Sequence, residues 1–442
     1  MEIRRVNTTV REEALAARQV GAIAFRDSKW YLRLLEELRE IEKSGGQLSD
    51  STREDPARTI WGAYLDDKLI AVTQAIDYQM RYEGQTVSMC GIGGVATLPE
   101  YRRQGSVRAI MRDVLRDCRD KGQIFSYLFP FSYEFYGRFG YGYGCRYMQV
   151  EIPMAALKTL PDAGSVKRCG PADLPAIEEI YNRFVENTNS AVVRSPGLWK
   201  SMFEYDPYAD QVYTYLWSDS QGNPAAWMTC ETKKTDRGDH FIMTDWACLS
   251  LKALSGLLAF IKRFDSQYAL TTLKVPLHIH LSRLFPEPHP ISQRLEYSGQ
   301  IRVVDIRRAL ELLRRPCCPA VMDSSSAAVH ADHRKQADDE LYLMVEDDFL
   351  PENSGRYTLD YSGPVNQVSF IPASSLIPGD ELIRDDLQVS ARLLATLLLG
   401  CNSLADLCEL PEVRINPSLP AGRLMWLHGF FPGKVNAIYD YF

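Results

Sequence analysis

Residues Gly91–Gly144 read GIGGVATLPEYRRQGSVRAIMRDVLRDCRDKGQIFSYLFPFSYEFYGRFGYGYG, and the rest of the chain can be worked out from them. An apolar strand runs to Val95-Ala96-Thr97. A basic, glycine-bearing turn follows at Arg102-Arg103-Gln104-Gly105. Next, Val107, Ile110, Met111, Val114, Leu115 and Cys118 recur at the spacing of one helical face. Gly122 stands where a left-handed C-terminal cap is expected. A second apolar strand, Gln123 to Phe131, completes a βαβ unit, and an aromatic, glycine-rich segment closes the stretch.

The chemistry lies in the start of that helix. Its first N–H groups have no intrahelical acceptor, and the helix dipole is positive there. Gly105 removes the side chain that would hold a ligand off the backbone. Arg102 and Arg103 add full positive charges. Such a start fits a pyrophosphate. On these residues alone, an ordinary strand-to-helix turn with solvated arginines fits as well.

The context decides between the two. Arg102-x-x-Gly105-x-Val107 resembles the acetyl-CoA signature R/Q-x-x-G-x-G/A of the GNAT acyltransferases, with Val107 in place of the last small residue. The longer strings VATLPEYRRQG and FYGRFGYG, with the terminal Asp440-Tyr441-Phe442, resemble the Eis (enhanced intracellular survival) branch of that superfamily. The resemblance implies an α/β (α+β) fold with tandem GNAT-like acyltransferase domains and a sterol-carrier-protein-like C-terminal domain. It also implies acetyl-CoA as co-substrate, a hexamer and, as acceptor, the primary amines of a small cationic molecule (aminoglycoside- or polyamine-like) or a lysine side chain.

Composition agrees with a globular enzyme. The chain has 442 residues, 45% hydrophobic and 24% charged, which suits several domains. A net charge of −7 argues against nucleic acid as the main partner and mildly favours a cationic substrate. No run of 18 apolar residues suggests a membrane span, and the N-terminus has no signal-peptide pattern. Cys90, Cys118, Cys230, Cys248 and Cys401 sit inside apolar segments, as expected of a cytoplasmic, reducing setting. Neither Cys317-Cys318 nor the pair His278 and His280 has metal-ligand spacing, and no metal is expected.

The chain divides into three expected domains. Residues 1–150 form a catalytic, acetyl-CoA-binding GNAT domain, in which Thr9 caps a helix to Phe25 with Glu12 at capping-box spacing. Asp27 and Trp30 follow, suited to an amine by charge and cation–π contact, or equally a surface acid and a packed indole. Residues 151–300 repeat the element order without an R-x-x-G turn: Ala247 to Lys252 leads straight into the next helix. This degenerate second copy is expected to bind no CoA and to serve as a wall. Residues 301–442 hold a strand at Ile301 to Val304, a helix capped by Asp305, an irregular insertion at 314–339, a hairpin, and an apolar helix from Leu387 to Leu399.

Acetyl transfer to nitrogen needs a held thioester, a polarised carbonyl, an acceptor for the amine proton and a donor to the departing thiolate. The strand at Val95, Ala96 and Thr97 is expected to splay from its neighbour and admit the pantetheine arm, with a backbone N–H for the oxyanion. Arg102, Arg103, Gln104, Gly105, Ser106, Val107 and Arg108 would take the pyrophosphate, and Phe131 and Ser132 would flank the channel. Tyr136 is the candidate general acid, matching the family's tyrosine by position; a phenol near pKa ~10 is protonated at neutral pH. Tyr133, Tyr141 and Tyr143 are its rivals. The resemblance assigns the base to the C-terminal carboxylate of Phe442. Two other readings are a longer-chain acyltransferase, like the N-myristoyltransferases, and a lipid-binding or scaffolding protein with a silent acetyltransferase domain. Crowded aromatics around Tyr136 disfavour the first of these, and an intact Arg103 and Gly105 disfavour the second.

Overall fold

A computed structural model gives the fold and describes residues 1–44, 58–233, 239–314, 340–362, 365–376 and 385–441. The first half runs β1 (Glu2–Arg5), α1 (Arg11–Phe25), α2 (Lys29–Ser44), β2 (Arg58–Leu65), β3 (Lys68–Tyr82), β4 (Gln85–Thr97), α3 (Ser106–Asp120), β5 (Phe125–Leu128), α4 (Tyr133–Gly137) and β6 (Gly142–Pro153). Asp66 and Asp67, both at positive φ (49° and 62°), make the two-residue turn between β2 and β3. The expected face of α3 is the buried one: Ile110, Met111, Val114 and Leu115 are fully covered. Each such side chain contributes about 1.5–3 kcal/mol by leaving water.

The second half repeats the plan. It runs α5 (Met154–Leu157), β7 (Ser165–Arg168), α6 (Leu174–Val185), β8 (Val192–Val193), α7 (Pro196–Ser201), β9 (Tyr213–Ser218), β10 (Pro224–Lys233), β11 (His240–Cys248), α8 (Leu251–Ile261), β12 (Leu270–Pro276) and β13 (Ser292–Val303). Both halves share a 13-stranded sheet in the order β1-β2-β3-β4-β5-β13-β6-β12-β11-β10-β9-β7, with β8 added against β3. The halves exchange their last strands. β13 pairs antiparallel with β5 of the first half, and β6 pairs antiparallel with β12 of the second. β6 and β13 then pair with each other along the seam.

The third region runs α9 (Ile306–Glu311), β14 (Glu340–Glu346), β15 (Gly355–Asp360), β16 (Gln367–Pro372), β17 (Leu387–Ser390), α10 (Ala391–Leu398), α11 (Leu404–Leu407), β18 (Val413–Ile415) and α12 (Ala421–Phe430). Its five-stranded sheet has the order β16-β15-β14-β17-β18. Its core is continuous with one face of the first half: Leu394 and Leu398 belong to the same buried cluster as Tyr82 and Phe125. No helix among the described residues is long and apolar enough to cross a membrane.

Several local expectations are corrected. Thr9 does not cap α1: its N–H and hydroxyl both turn to Asn7 Oδ1, and Glu13, not Glu12, reaches back to the Asn7 N–H at 2.9 Å. The strand expected at Ile301 to Val304 begins nine residues earlier, at Ser292, since β13 must span both β6 and β5. Leu387 to Leu399 is not one helix; Leu387–Ser390 joins the sheet, and the Ser390 hydroxyl then accepts from Leu393 N–H to start α10. The β5 ladder is shorter than Gln123 to Phe131 because Pro130 can donate nothing to it. Asp305 does cap α9, accepting from Arg308 N–H at 3.0 Å. Cys317, Cys318 and nearly all of the 314–339 insertion lie outside the described residues.

Candidate active site

The turn before α3 has the geometry that an anion needs. Arg103 and Gly105 both adopt positive φ, 64° and 83°. Gly105 is the N-cap and offers no side-chain oxygen, so the first amides of α3 are left uncapped by any side chain. A Cβ built on Gly105 would meet nothing within 4 Å. The glycine is therefore not forced by packing against protein; it keeps the backbone open to solvent. Arg102, Arg103, Gln104 and Arg108 are exposed around this opening, while Ser106 is buried beneath it. Arg102 Nε donates to the Thr97 carbonyl at 3.4 Å, and Gln104 Nε2 to the Glu100 carbonyl at 3.3 Å. Val107 packs half-buried on the first-half core, so the branched side chain points to the core side of the turn. These residues fit the diphosphate of acetyl-CoA.

A wedge opens beside that turn. β4 and β5 pair in parallel from Met89 with Phe125 to Ile92 with Leu128, and pairing stops there. Just past that point β4 bulges against β3: Gln74 faces Gly93 but Val72 faces Ala96, and Gly94 takes φ 56°. Val95 thus lies in the bulge, and Ala96 and Thr97 continue on β3, all three with no partner on the β5 side. Their peptide groups form an open edge of the kind a pantetheine arm can bond.

Among the four tyrosines in the aromatic segment, hydrogen bonding and burial together single out Tyr136. The Tyr143 hydroxyl also has no partner among the described residues, but that residue is 48% exposed. Tyr141 is fully buried, with its hydroxyl shared with Ser126 Oγ at 2.7 Å. Tyr133, Tyr143 and Tyr297 stack on one another, and the Tyr133 hydroxyl donates to the Tyr297 carbonyl. Tyr136, on α4, is 3% exposed and caged by Phe131, Phe135, Phe139 and Tyr141. Its hydroxyl has no hydrogen-bond partner among the described residues. Burial raises its pKa well above the usual phenol range. Phe131 is 74% exposed and stands at 5.5 Å from the Tyr136 ring. Ser132 is committed elsewhere: its hydroxyl caps α4 through Phe135 N–H.

Phe442 lies outside the described residues, but the chain leading to it is firmly held. Asn189 N–H donates to the Val435 carbonyl and Ala437 N–H to the Asn189 carbonyl, at 2.9 and 3.1 Å. Lys434 Nζ bonds Glu83 at 2.7 Å. Asp440 accepts from Arg194 Nε at 2.7 Å and from the Tyr181 hydroxyl at 3.2 Å. Tyr441 then stacks on Phe129 with ring centroids 4.3 Å apart. Phe129 is two residues from Phe131, so the tail reaches the segment that borders Tyr136.

Arg194 is the residue that sequence reading missed. It is almost wholly buried, between Asp440 and Asp245 (2.8 Å), over the rings of Tyr181 and Trp199. Burial pulls its pKa down, but the two carboxylates outweigh that and raise it. Asp245 is raised by burial, which Arg194 only partly offsets. Arg194 follows the short strand β8, and nothing in its neighbourhood in sequence marks it. A buried Arg302 was missed likewise. It pairs with Asp347 and donates to the Phe139 carbonyl at 2.5 Å, bracing the turn after α4. Asp27 accepts from Lys29 N–H at 2.9 Å, a local helix-opening bond at an exposed position. The Trp30 side chain lies outside the described residues.

The second half keeps the wedge and loses the helix start. β11 and β12 pair in parallel up to Met243 with Leu273. β11 then bulges against β10 at Thr244, since Thr229 faces Asp245 and Cys230 faces Met243. The tail residues Ala437 to Tyr441 share a cavity with Thr244, Asp245 and Trp246, the residues past that bulge. At the following helix, the Ser250 hydroxyl caps α8 by accepting from Ala253 N–H.

Comparison with known proteins agrees with this layout. Residues 7–144 and 190–303 each match the acetyltransferase (GNAT) domain family, and residues 326–424 match the sterol carrier protein domain family. An uncharacterized N-acetyltransferase of Streptomyces coelicolor is 25% identical over 403 residues, covering 87% of this chain and 90% of that one. N-acetyltransferase Eis of Mycobacterium tuberculosis is 25% identical over 150 residues, 32% of this chain and 37% of that one. Among solved structures, a GCN5-related N-acetyltransferase from Anabaena variabilis superposes with a TM-score of 0.76 at 20% identity, over 100% of both chains. An Eis protein from Mycobacterium abscessus does so with a TM-score of 0.70 at 18% identity, again over 100% of both.

Proposed function

Since the chain is an Eis-like N-acetyltransferase of the GNAT superfamily, we propose that it moves the acetyl group of acetyl-CoA to a primary amine of a small acceptor or a lysine side chain. Tyr136 is the general acid and the carboxylate assigned to Phe442 is the base. The observation that carries the reading is the uncapped helix start at Gly105 beside the β4/β5 wedge, with the buried phenol of Tyr136 on the helix after β5. The amides of Ser106, Val107 and Arg108, with Arg102 and Arg103, hold the diphosphate. The free edge from Val95 to Thr97 aligns the pantetheine and supplies a backbone N–H to the carbonyl oxygen.

The amine nitrogen then attacks the acetyl carbon. The N–C bond forms, the C–S bond breaks, and the amine's proton passes to the base. Tyr136 gives its proton to the departing sulfur, so coenzyme A leaves as the thiol. A phenol raised by burial stays protonated across the neutral range, as a proton donor must. A carboxylate near pKa ~3.5 is a weak base in water, so the Phe442 group must be partly desolvated to act. Tyr441 seated on Phe129 supports that placement. The aromatic cage around Tyr136 favours a short acyl group. The eight free thiols among the described cysteines favour a reducing, cytoplasmic setting.

Tyr136→Phe tests the assignment. Thiol release with a panel of amines should fall about 10²-fold or more in kcat, while calorimetric acetyl-CoA affinity stays unchanged. Full turnover by the variant would remove Tyr136 from the mechanism.

A further inference from the structure

The helix that carries Tyr136, α4, has only five residues, and a helix of that length does not hold its own shape. No hydrogen bond among the described residues aims the Tyr136 phenol. The segment around it is held by its carbonyls instead, and the donors come from β13, the last strand of the second half. Gln300 Nε2 donates to the Tyr133 carbonyl at 3.2 Å and to the Tyr141 carbonyl at 3.1 Å. Arg302 Nη1 donates to the Phe139 carbonyl at 2.5 Å. Gln300 and Arg302 stand two residues apart on a regularly paired strand, so they leave the same face. Both are buried, at 3% and 0% exposed.

The third region completes the clamp. The other arm of Arg302, Nη2, is paired with Asp347. Asp347 Oδ1 accepts from the N–H groups of Phe349 and Leu350 at 3.1 and 2.9 Å, and Oδ2 accepts from Asn353 Nδ2 at 3.1 Å. The carboxylate is thus fixed by its own loop and sets where the guanidinium lies. Phe349 of that loop packs on Phe139 with ring centroids 5.0 Å apart. Gly140, at φ 77°, makes room for the arrangement: a Cβ there would overlap Arg302 Nη1. Apolar residues at 300 and 302 would pack β13 with a smaller desolvation penalty than a buried ion pair. What they could not do is fix three carbonyls on the two sides of Tyr136.

We propose that Gln300 and Arg302, with Asp347 behind Arg302, are positioning residues for Tyr136. They hold its phenol where it can protonate the departing sulfur, and they act only through it. This inference rests on Tyr136 as general acid and adds the residues that aim it.

The test is a double-mutant cycle on the full-length protein, with acetyl-CoA and the best amine of the thiol-release panel. Gln300 Oε1 bonds nothing among the described residues, so Gln300→Met keeps the side chain's length and loses only the two donated bonds. It should lower kcat about ten- to a hundredfold, the range for a reacting group displaced by about an ångström, and leave calorimetric acetyl-CoA affinity within about twofold. Introduced into Tyr136→Phe, it should change kcat by less than about twofold, because the group it aims is gone. Arg302→Lys keeps a charge beside Asp347 without the second fork and should follow the same pattern. Melting curves by circular dichroism check that each variant is folded. Equal losses in the two backgrounds would make these residues structural and overturn the proposal, as would an unchanged kcat in Gln300→Met. Full turnover by Tyr136→Phe alone would instead remove the acid itself, and both readings with it.

Discussion

In the first half β4 leaves β5 after Ile92 and Leu128; in the second β11 leaves β12 after Met243 and Leu273. Each departing strand bulges within two residues of the parting. The openings are thus made by the same device. They differ in what stands at the helix that follows. Gly105 offers backbone and nothing else, whereas Ser250 turns its own hydroxyl onto the helix amides. One helix start is left uncapped by any side chain; the other is satisfied within the protein. The second opening receives the tail instead, fixed by Arg194. A wedge in a sheet is therefore a generic slot, and the residue capping the next helix decides whether it can hold a phosphate.

The largest effect should come from severing the tail from its slot. Arg194→Met leaves Asp245 and Asp440 facing each other without a counter-charge, and breaking a buried pair in this way costs about 3–5 kcal/mol. The tail can relieve that cost by leaving. Turnover should then fall about a hundredfold, while calorimetric acetyl-CoA affinity, set in the first half, stays within about twofold. Arg194→Lys, which keeps the charge but loses the two-sided fork, should fall between. A matching loss of acetyl-CoA affinity would mean that the two slots are not independent.

These contrasts also mark how far the sequence could be read. The first wedge was legible because its parts are contiguous: strand, basic turn, glycine and amphipathic helix follow one another from Gly91 to Gly122. The lack of an R-x-x-G turn before α8 was equally legible. The strand exchange was not, since whether β6 or β13 lies beside β5 depends on pairing across more than a hundred residues. Arg194 and Asp245 were invisible for a similar reason. Each is an ordinary charged residue near a strand end, and their meaning comes from Asp440, which is far from both in sequence. Leu387 to Leu399 misled because a short buried strand and a buried helix are equally apolar, and only the Ser390 cap divides them. Tyr136 could be named by resemblance, but setting it apart from Tyr133 and Tyr141 needed their hydrogen bonds, and from Tyr143 its exposure.

A middle-sized effect should follow from making the first helix start resemble the second. Asparagine tolerates the left-handed conformation that Gly105 holds at φ 83°, and it is a good N-cap. No protein atom lies within 4 Å of the new Cβ. Gly105→Asn should therefore leave the melting temperature unchanged or slightly raised. Its side chain would occupy the helix amides, so acetyl-CoA affinity should drop about tenfold or more in a calorimetric titration. Unchanged affinity would show that the diphosphate is held elsewhere.

The smallest effect is the converse change. Ser250→Ala removes the cap of α8 and should cost about 1 kcal/mol, seen as a fall of about 2 °C or less in melting temperature. The helix itself should survive, because Leu254, Leu257 and Leu258 are fully buried against the second-half sheet. Residues 247–251, before and at that end, carry no arginine to match Arg102 and Arg103, so freed amides alone would hold no diphosphate. Acetyl-CoA affinity and turnover should consequently match the unmodified protein. A variant that bound a second equivalent of coenzyme A would show that one hydroxyl had been enough to silence the second slot, and the difference between the halves would shrink to that single residue.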